Sequence, residues 1–139
     1  MNYIAKIYKE EDNYLVEFPD IPGCLTFGKT LDEAKAMAKD AMDAILAVKL
    51  KDGDPLPKST IQKPNAKQGL FAIQVNENLA IAYSIFEARR GKSAAEISRK
   101  MGISRQAYQQ IENPKHSLSV ATLIKVAKAL GKNLEINFV

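Results

Sequence analysis

The chain has a single cysteine and a single histidine in 139 residues. Cys24 alone cannot form an internal disulfide, which fits a reducing compartment and gives a cytoplasmic expectation. No Cys/His spacing suited to a metal occurs, and no glycine-rich phosphate loop, so neither a metal nor a cofactor is expected. Cys24 has no histidine near it in sequence and reads as a small buried group rather than a nucleophile. There is no run of about 18 apolar residues, so no membrane span is expected. The N-terminus lacks a charged-then-apolar signal layout, because Glu10, Glu11 and Asp12 arrive almost at once.

Charge is modest in total but unevenly placed. The net value is +4. Residues 1–70 hold 10 Lys and Arg against 11 Asp and Glu, whereas residues 71–139 hold 10 against 5. The basic excess therefore lies entirely in the second half, as phosphate binding requires, although a solvated surface produces the same imbalance.

The first half alternates. Tyr3, Ala5 and Ile7 fall on one face of an extended segment and Ile4, Lys6 and Tyr8 on the other; Glu10 to Asn13 reads as a turn, and Tyr14, Val16 and Phe18 alternate again. This predicts a hairpin. Pro19 and Pro22 end the second strand because neither donates a ladder hydrogen bond. A third short strand is expected from Cys24 to Phe27, stopped by Gly28. Thr30 and Glu33 form a capping box. The helix that follows places Leu31, Ala34, Ala38, Ala41, Met42, Ile45 and Leu46 in one apolar stripe, and Gly53 and Pro55 end it. Residues 52–69, with three prolines and two glycines, read as a loop or linker. That length is uncomfortable in a compact domain unless part of it packs. Residues 70–75 are apolar enough for a strand, which either returns to the first sheet or connects the two parts.

The second half reads as helical. Leu79, Ala82, Tyr83 and Phe86 make one stripe. Ser93 and Glu96 form a second capping box, Gly102 suits a left-handed helix end, Ser104 caps a third helix and Ser119 a fourth. In the fourth, Val120, Leu123, Ile124, Ala127 and Leu130 are expected to face inward. Leu134, Ile136 and Phe138 alternate with polar residues and predict a terminal strand. Such a strand needs a partner, and the same strand of a second copy provides one, so a homodimer or tetramer is expected with these three residues at its contact.

Residues 93–114 carry the sharpest signal. Two short helices joined at Gly102, the second with an outer face of long polar side chains, suit a helix-turn-helix in the DNA major groove. Ser104, Arg105, Gln106, Ala107, Tyr108 and the closing Glu112-Asn113 resemble the recognition segment of Cro/phage-repressor-type domains, with Pro114 standing where glycine is usual. Arg105, Gln106 and Gln110 are the candidate base readers, because arginine bonds bidentately to guanine and glutamine to adenine. Gln109 is placed beside them. Ser93, Asn113 and Lys115, with help from Lys92, are candidate phosphate contacts. A merely solvated helix face is the alternative for all of these. Ile97, Ile103, Tyr108 and Ile111 are expected in the core, and His116 at phosphate or in solvent.

The string from Tyr14 to Ala34, with Phe18-Pro19-Asp20, Pro22-Gly23-Cys24, Gly28, Thr30 and Glu33, resembles the signature of HicB-type antitoxins. The proline-containing Leu56-Pro57 segment and the closing Ala129-Leu130-Gly131 resemble that family as well. The resemblance implies an α+β chain: a partial ribonuclease-H-like N-terminal domain of antiparallel strands and a helix over residues 1–75, with a linker at about 52–69, then a helix-turn-helix domain over residues 76–139. It implies a HicA-like mRNA-cleaving toxin that uses a histidine, masked by this chain, and operator double-stranded DNA as the second partner. The toxin contacts are expected on the Pro19–Cys24 loop, the exposed strand edge and the capped helix, with Tyr14, Glu17, Asp20 and Glu33 as candidates, since carboxylates suit a basic RNA-binding surface. Each has a purely structural alternative in the sheet, the cap or the turn.

A ribonuclease-H-like fold raises the question of catalysis, which needs carboxylates converging on two metals. Asp40 and Asp43 lie one turn apart on one helix, Glu33 is committed to capping, and no strand carries a central acid, so no enzyme is expected. The alternative to an antitoxin is an orphan helix-turn-helix regulator whose N-terminal domain binds another protein or a ligand.

Overall fold

The computed structural model describes residues 1–61 and 63–139. They form two compact units, Met1–Asn76 and Glu77–Val139.

In the first unit β1 (Asn2–Glu10) pairs antiparallel with β2 (Asn13–Glu17) through a two-residue turn, in which Glu11 takes a positive φ of 55°. Hairpin turns of this length require left-handed residues to match the strand twist. β3 (Leu25–Gly28) follows the bend at residues 19–23, where Ile21 is buried. β4 (Leu70–Gln74) returns to β1, giving the order β3-β2-β1-β4 with every pair antiparallel. The open choice for residues 70–75 is thus decided: they complete the sheet.

Residues directly opposite in antiparallel strands share a face. Tyr3–Ile73, Ala5–Phe71, Ile7–Val16 and Tyr14–Gly28 define one face. It carries α1 (Leu31–Lys51), which is capped by Thr30 through a 3.0 Å bond from the Glu33 N–H. The residues of α1 that are fully buried recur every fourth position, at Ala34, Ala38, Met42, Leu46 and Leu50. Leu31, Ala41 and Ile45, expected in the same stripe, flank it half-buried. The helix comes close because β3 ends in glycine: a Cβ on Gly28 would stand 2.4 Å from the Ala34 nitrogen. On the opposite face Ile4 is buried, whereas Lys6 and Tyr8 are exposed.

Residues 52–61 and 63–69 fall within the first unit. Tyr3 Oη donates to the Pro57 carbonyl at 2.6 Å. Asp20 accepts the N–H of Thr60 at 2.8 Å, that of Ile61 at 3.2 Å, and the Thr60 hydroxyl. A 3-10 turn at Ala66–Gln68 then leads into β4. The proline-rich composition foretold the irregular backbone but not the side chains that pin it down.

The second unit holds α2 (Glu77–Ala88), α3 (Ala94–Met101), α4 (Arg105–Ile111) and α5 (Val120–Ala129). Ser93, Ser104 and Ser119 each accept a backbone N–H three residues ahead, at 3.0–3.1 Å, and so start α3, α4 and α5. Gly102 ends α3 with a φ of 69°. Ile85, Ile97, Tyr108, Ile111, Val126 and Leu130 form the core. On α2 it is Ile85 rather than Phe86 that is fully buried; Phe86 is half-buried. On α5 the expected inward face is corrected. Val126 and Leu130 are buried and Leu123 packs beside them, but Val120 and Ile124 are exposed. The apolar residues of α5 cover more than one helical face, so periodicity alone did not select the buried one. The predicted strand at residues 134–139 does not form in the single chain: Ile136 and Phe138 are exposed, and the segment has no ladder to join.

A partly buried ion pair braces this unit. Arg89, just beyond α2, donates to both oxygens of Glu112, just beyond α4, at 2.8 and 3.0 Å, and to the Lys92 carbonyl at 3.0 Å. The Tyr108 hydroxyl is buried beside the pair with no well-formed hydrogen bond, and burial, then the Glu112 carboxylate, raises its pKa.

Two stability tests follow from these contacts. Arg89→Met leaves Glu112 without its partner and should cost about 1.5–3 kcal/mol in urea unfolding; a loss below about 0.5 kcal/mol would show that water replaces the pair. The Asp20 carboxyl is held below its ordinary value chiefly by the Thr60 hydroxyl, with the two N–H groups adding to it. A depressed carboxyl contributes stability above its unfolded pKa and loses it as pH falls through the folded one. Thr60 and Ile61 amides should therefore be protected from exchange near neutrality and lose protection in the acid limb, and Asp20→Asn should expose them already at neutral pH. Equal protection in that variant would remove Asp20 as the anchor.

Candidate functional site

α4 is amphipathic over two turns. Tyr108 and Ile111 point into the core with Ile97 of α3, and Ile103 is half-buried at the turn. Arg105, Gln106, Gln109 and Gln110 are all exposed. Positions i, i+1, i+4 and i+5 share one side of a helix, so the four long polar side chains form a single outward face. The serine cap fixes where the helix begins, and Tyr108 fixes its rotation, because the opposite side is the only one that can enter the core.

The remaining nucleic-acid candidates divide. Ser93 and Ser104 are exposed at the starts of α3 and α4, each accepting its capping N–H while its own hydroxyl proton is left for another acceptor. Lys115 is exposed, and its N–H donates to Asn113 Oδ1 at 3.0 Å. Asn113 is thus partly committed to shaping the loop after α4. That loop uses no left-handed residue, since the positive φ values among the described residues belong to Glu11 and to glycines elsewhere. Pro114 is therefore compatible with a position where glycine is usual. Lys92 donates one ammonium hydrogen to the Leu130 carbonyl at 3.2 Å at the end of α5, which leaves two further donors. His116 is exposed, its N–H bonded to the Asn113 carbonyl.

Sequence reasoning missed Arg89 and the role of Glu112. The two lie 23 positions apart, and no local pattern joins them. The Glu-Asn ending of the recognition segment was the only hint that Glu112 has a fixed task.

In the first unit the four candidate contacts do not form one cluster. Tyr14 is opposite Gly28, which itself abuts Glu33 and Ala34, so Tyr14 and Glu33 share the region around the start of α1. Glu33 is exposed, and Tyr14 is half-buried with the Lys9 ammonium 6.0 Å from its ring centre. Glu17 lies on the opposite sheet face, 4.0 Å from Lys6. Asp20 is spent on Thr60 and Ile61.

Among the described residues no three His, Cys, Asp or Glu side chains converge to hold a metal. Asp43 accepts the Asn76 N–H at 3.0 Å and pairs with Lys39 at 3.2 Å. Cys24 is buried, and burial pushes its thiol up to about 11, so it stays protonated at neutral pH. No helix among the described residues is long and apolar enough to cross a membrane.

Comparison with known proteins fits this division. Residues 3–93 match the model of the HicB-like antitoxin of bacterial toxin–antitoxin systems, and residues 85–137 match a helix-turn-helix model. Antitoxin HicB 2 of Photorhabdus laumondii is 33% identical over 138 residues, covering 98% of this chain and 95% of that protein. Antitoxin HicB of Escherichia coli K12 is 30% identical over 128 residues, 91% of this chain and 90% of its own. Among solved structures, a chain of a HicA3 and HicB3 toxin–antitoxin complex is 26% identical with a TM-score of 0.44, covering 55% of this chain and 99% of that one. The matches over residues 3–93 and over nearly the whole length of two named antitoxins show that this chain belongs to the HicB-like antitoxin family and carries a helix-turn-helix in its second unit.

Proposed function

We propose that this chain neutralises a HicA-like ribonuclease toxin with its first unit and represses its own operon by binding operator DNA with its second. The observation that carries the DNA half is the exposed face of Arg105, Gln106, Gln109 and Gln110 on a helix whose rotation is locked by Tyr108 and Ile111. The toxin half rests on family membership and on relatives that are named antitoxins.

Arg105, Gln106 and Gln110 read bases in the major groove, with Gln109 beside them. Ser93, Ser104, Asn113 and Lys115 grip the flanking phosphates. Arg105 and Lys115 have no ion-pair partner among the described residues, so their charge is available to DNA. A single copy covers one half-site. The apolar residues Leu134, Ile136 and Phe138 pair with the same segment of a second copy, giving a two-fold assembly that reads a palindrome. Tyr14 and Glu33 contribute to the toxin contact at the start of α1. Glu17 contributes from the other sheet face, and Asp20 through the loop it anchors.

With DNA from immediately upstream of this gene, Arg105→Ala should weaken binding by about 5- to 150-fold and relax preference at one base pair. Co-purification with a HicA-like toxin should be unaffected. Equal weakening on every DNA sequence would demote Arg105 to a phosphate contact. Removal of residues 134–139 should move the sedimentation profile toward monomer and lower DNA affinity together; an unchanged assembly would remove the tail from the dimer contact.

A further inference from the structure

The two edges of the sheet are treated differently. On β4 some of the outward groups are occupied: the N–H and carbonyl of Leu70 bond to Asn65 at 2.9 and 2.8 Å, and the Gln74 carbonyl accepts the Lys39 ammonium at 2.9 Å, while Ala72 between them also faces outward. On β3 they are not. The Phe18 N–H donates to the Cys24 carbonyl, and alternation along the antiparallel pair then turns the N–H and carbonyl of Leu25 and Phe27 away from β2. Among the described residues no other strand of the sheet lies beyond β3. The strand has no charge, proline or bulge of the kind that guards an open edge.

The side chains of the same residues are bare. Leu25 is 69% and Phe27 55% exposed. Both point to the sheet face opposite α1. There Phe27 continues a row with Leu15 and Tyr8 in direct register, and Leu25 continues the Lys6–Glu17 pair. Tyr8 is 41% exposed and Leu15 half-buried. The row is apolar, runs across three strands and ends at the open edge.

Charge selects the occupant. Residues 10–33, which hold β2, β3 and the start of α1, carry seven acidic residues and one lysine, Lys29. A second copy would bring the same acidic segment against itself, whereas a basic protein is attracted to it. We infer that β3 is the toxin-docking edge: a strand of the basic toxin adds beside β3, its main chain bonding to Leu25 and Phe27 and its apolar side chains covering Phe27, Leu15 and Tyr8. This rests on the antitoxin reading above. It places the main anchors on Leu25 and Phe27, with Glu17 as a neighbouring charge, and it leaves Tyr14 and Glu33 at the margin.

The test uses the full chain and a small HicA-like toxin, sought in the adjacent reading frame and made catalytically silent by substituting its histidine. Calorimetric titration should show the double variant Leu25→Lys, Phe27→Lys binding at least about 30-fold more weakly than the parent. Its circular dichroism and its binding to upstream DNA should be unchanged. In the parent, hydrogen exchange at the Leu25 and Phe27 amides should slow on complex formation, a readout independent of any variant's folding. Unchanged affinity in the double variant, or no new protection at those two amides, overturns the strand-pairing inference while leaving the antitoxin reading intact. Absence of any binding by the parent chain overturns the antitoxin reading and the inference with it.

Discussion

The first unit depends on the absence of a side chain at Gly28. With a Cβ only 2.4 Å from the Ala34 nitrogen, no other residue lets α1 sit where it does. The close approach is extended along the helix by alanines at 34 and 38, before Met42, Leu46 and Leu50 fill the widening gap. One helix on one face then decides the rest. The helix face becomes a core of small and branched residues, and the opposite face keeps the exposed residues Tyr8, Leu25 and Phe27. Apolar groups left at an open strand edge are a liability in a protein that works alone and an asset in one that works bound.

The second unit meets a different requirement: a short helix must be held firmly while its outer face stays free. Seven residues cannot hold a helix by propensity. α4 is kept in place by the Ser104 cap, by the burial of Tyr108 and Ile111, and by the Arg89–Glu112 bridge just past its end. Each of these acts on the inner side or the ends. None uses Arg105, Gln106, Gln109 or Gln110, so the residues that stabilise the helix and the proposed base readers are separate sets, although the Ser104 cap is also a proposed phosphate contact. Under the proposed DNA-binding role, substitutions on that face would alter sequence specificity without loss of fold.

Much of this organisation was legible in the sequence because it rests on local rules. Three serine caps, the Thr30 cap, the Gly102 stop and the alternation in β1 and β2 each depend on residues within about one turn of one another. What escaped was non-local. Asp20 bonds to Thr60 and Ile61 some 40 positions away, Arg89 reaches Glu112, and Lys92 reaches Leu130, so no window of periodicity reports them. The wrong choice of buried face on α5 has a related cause, since a helix with apolar residues on several sides does not say which side meets the core. The residues of the proposed docking edge were the least legible part. Carboxylates suggested themselves by charge, but the exposure of Leu25 and Phe27 is a property of the assembled sheet.

The central claim is that one chain combines toxin capture with operator binding. Its most direct test is growth. A small HicA-like toxin, sought in the reading frame adjoining this gene, is expressed from an inducible promoter, with and without this chain. The account predicts that growth arrest by the small protein is relieved and that the two proteins purify as one complex. Persistent arrest in the presence of folded, abundant chain would contradict it.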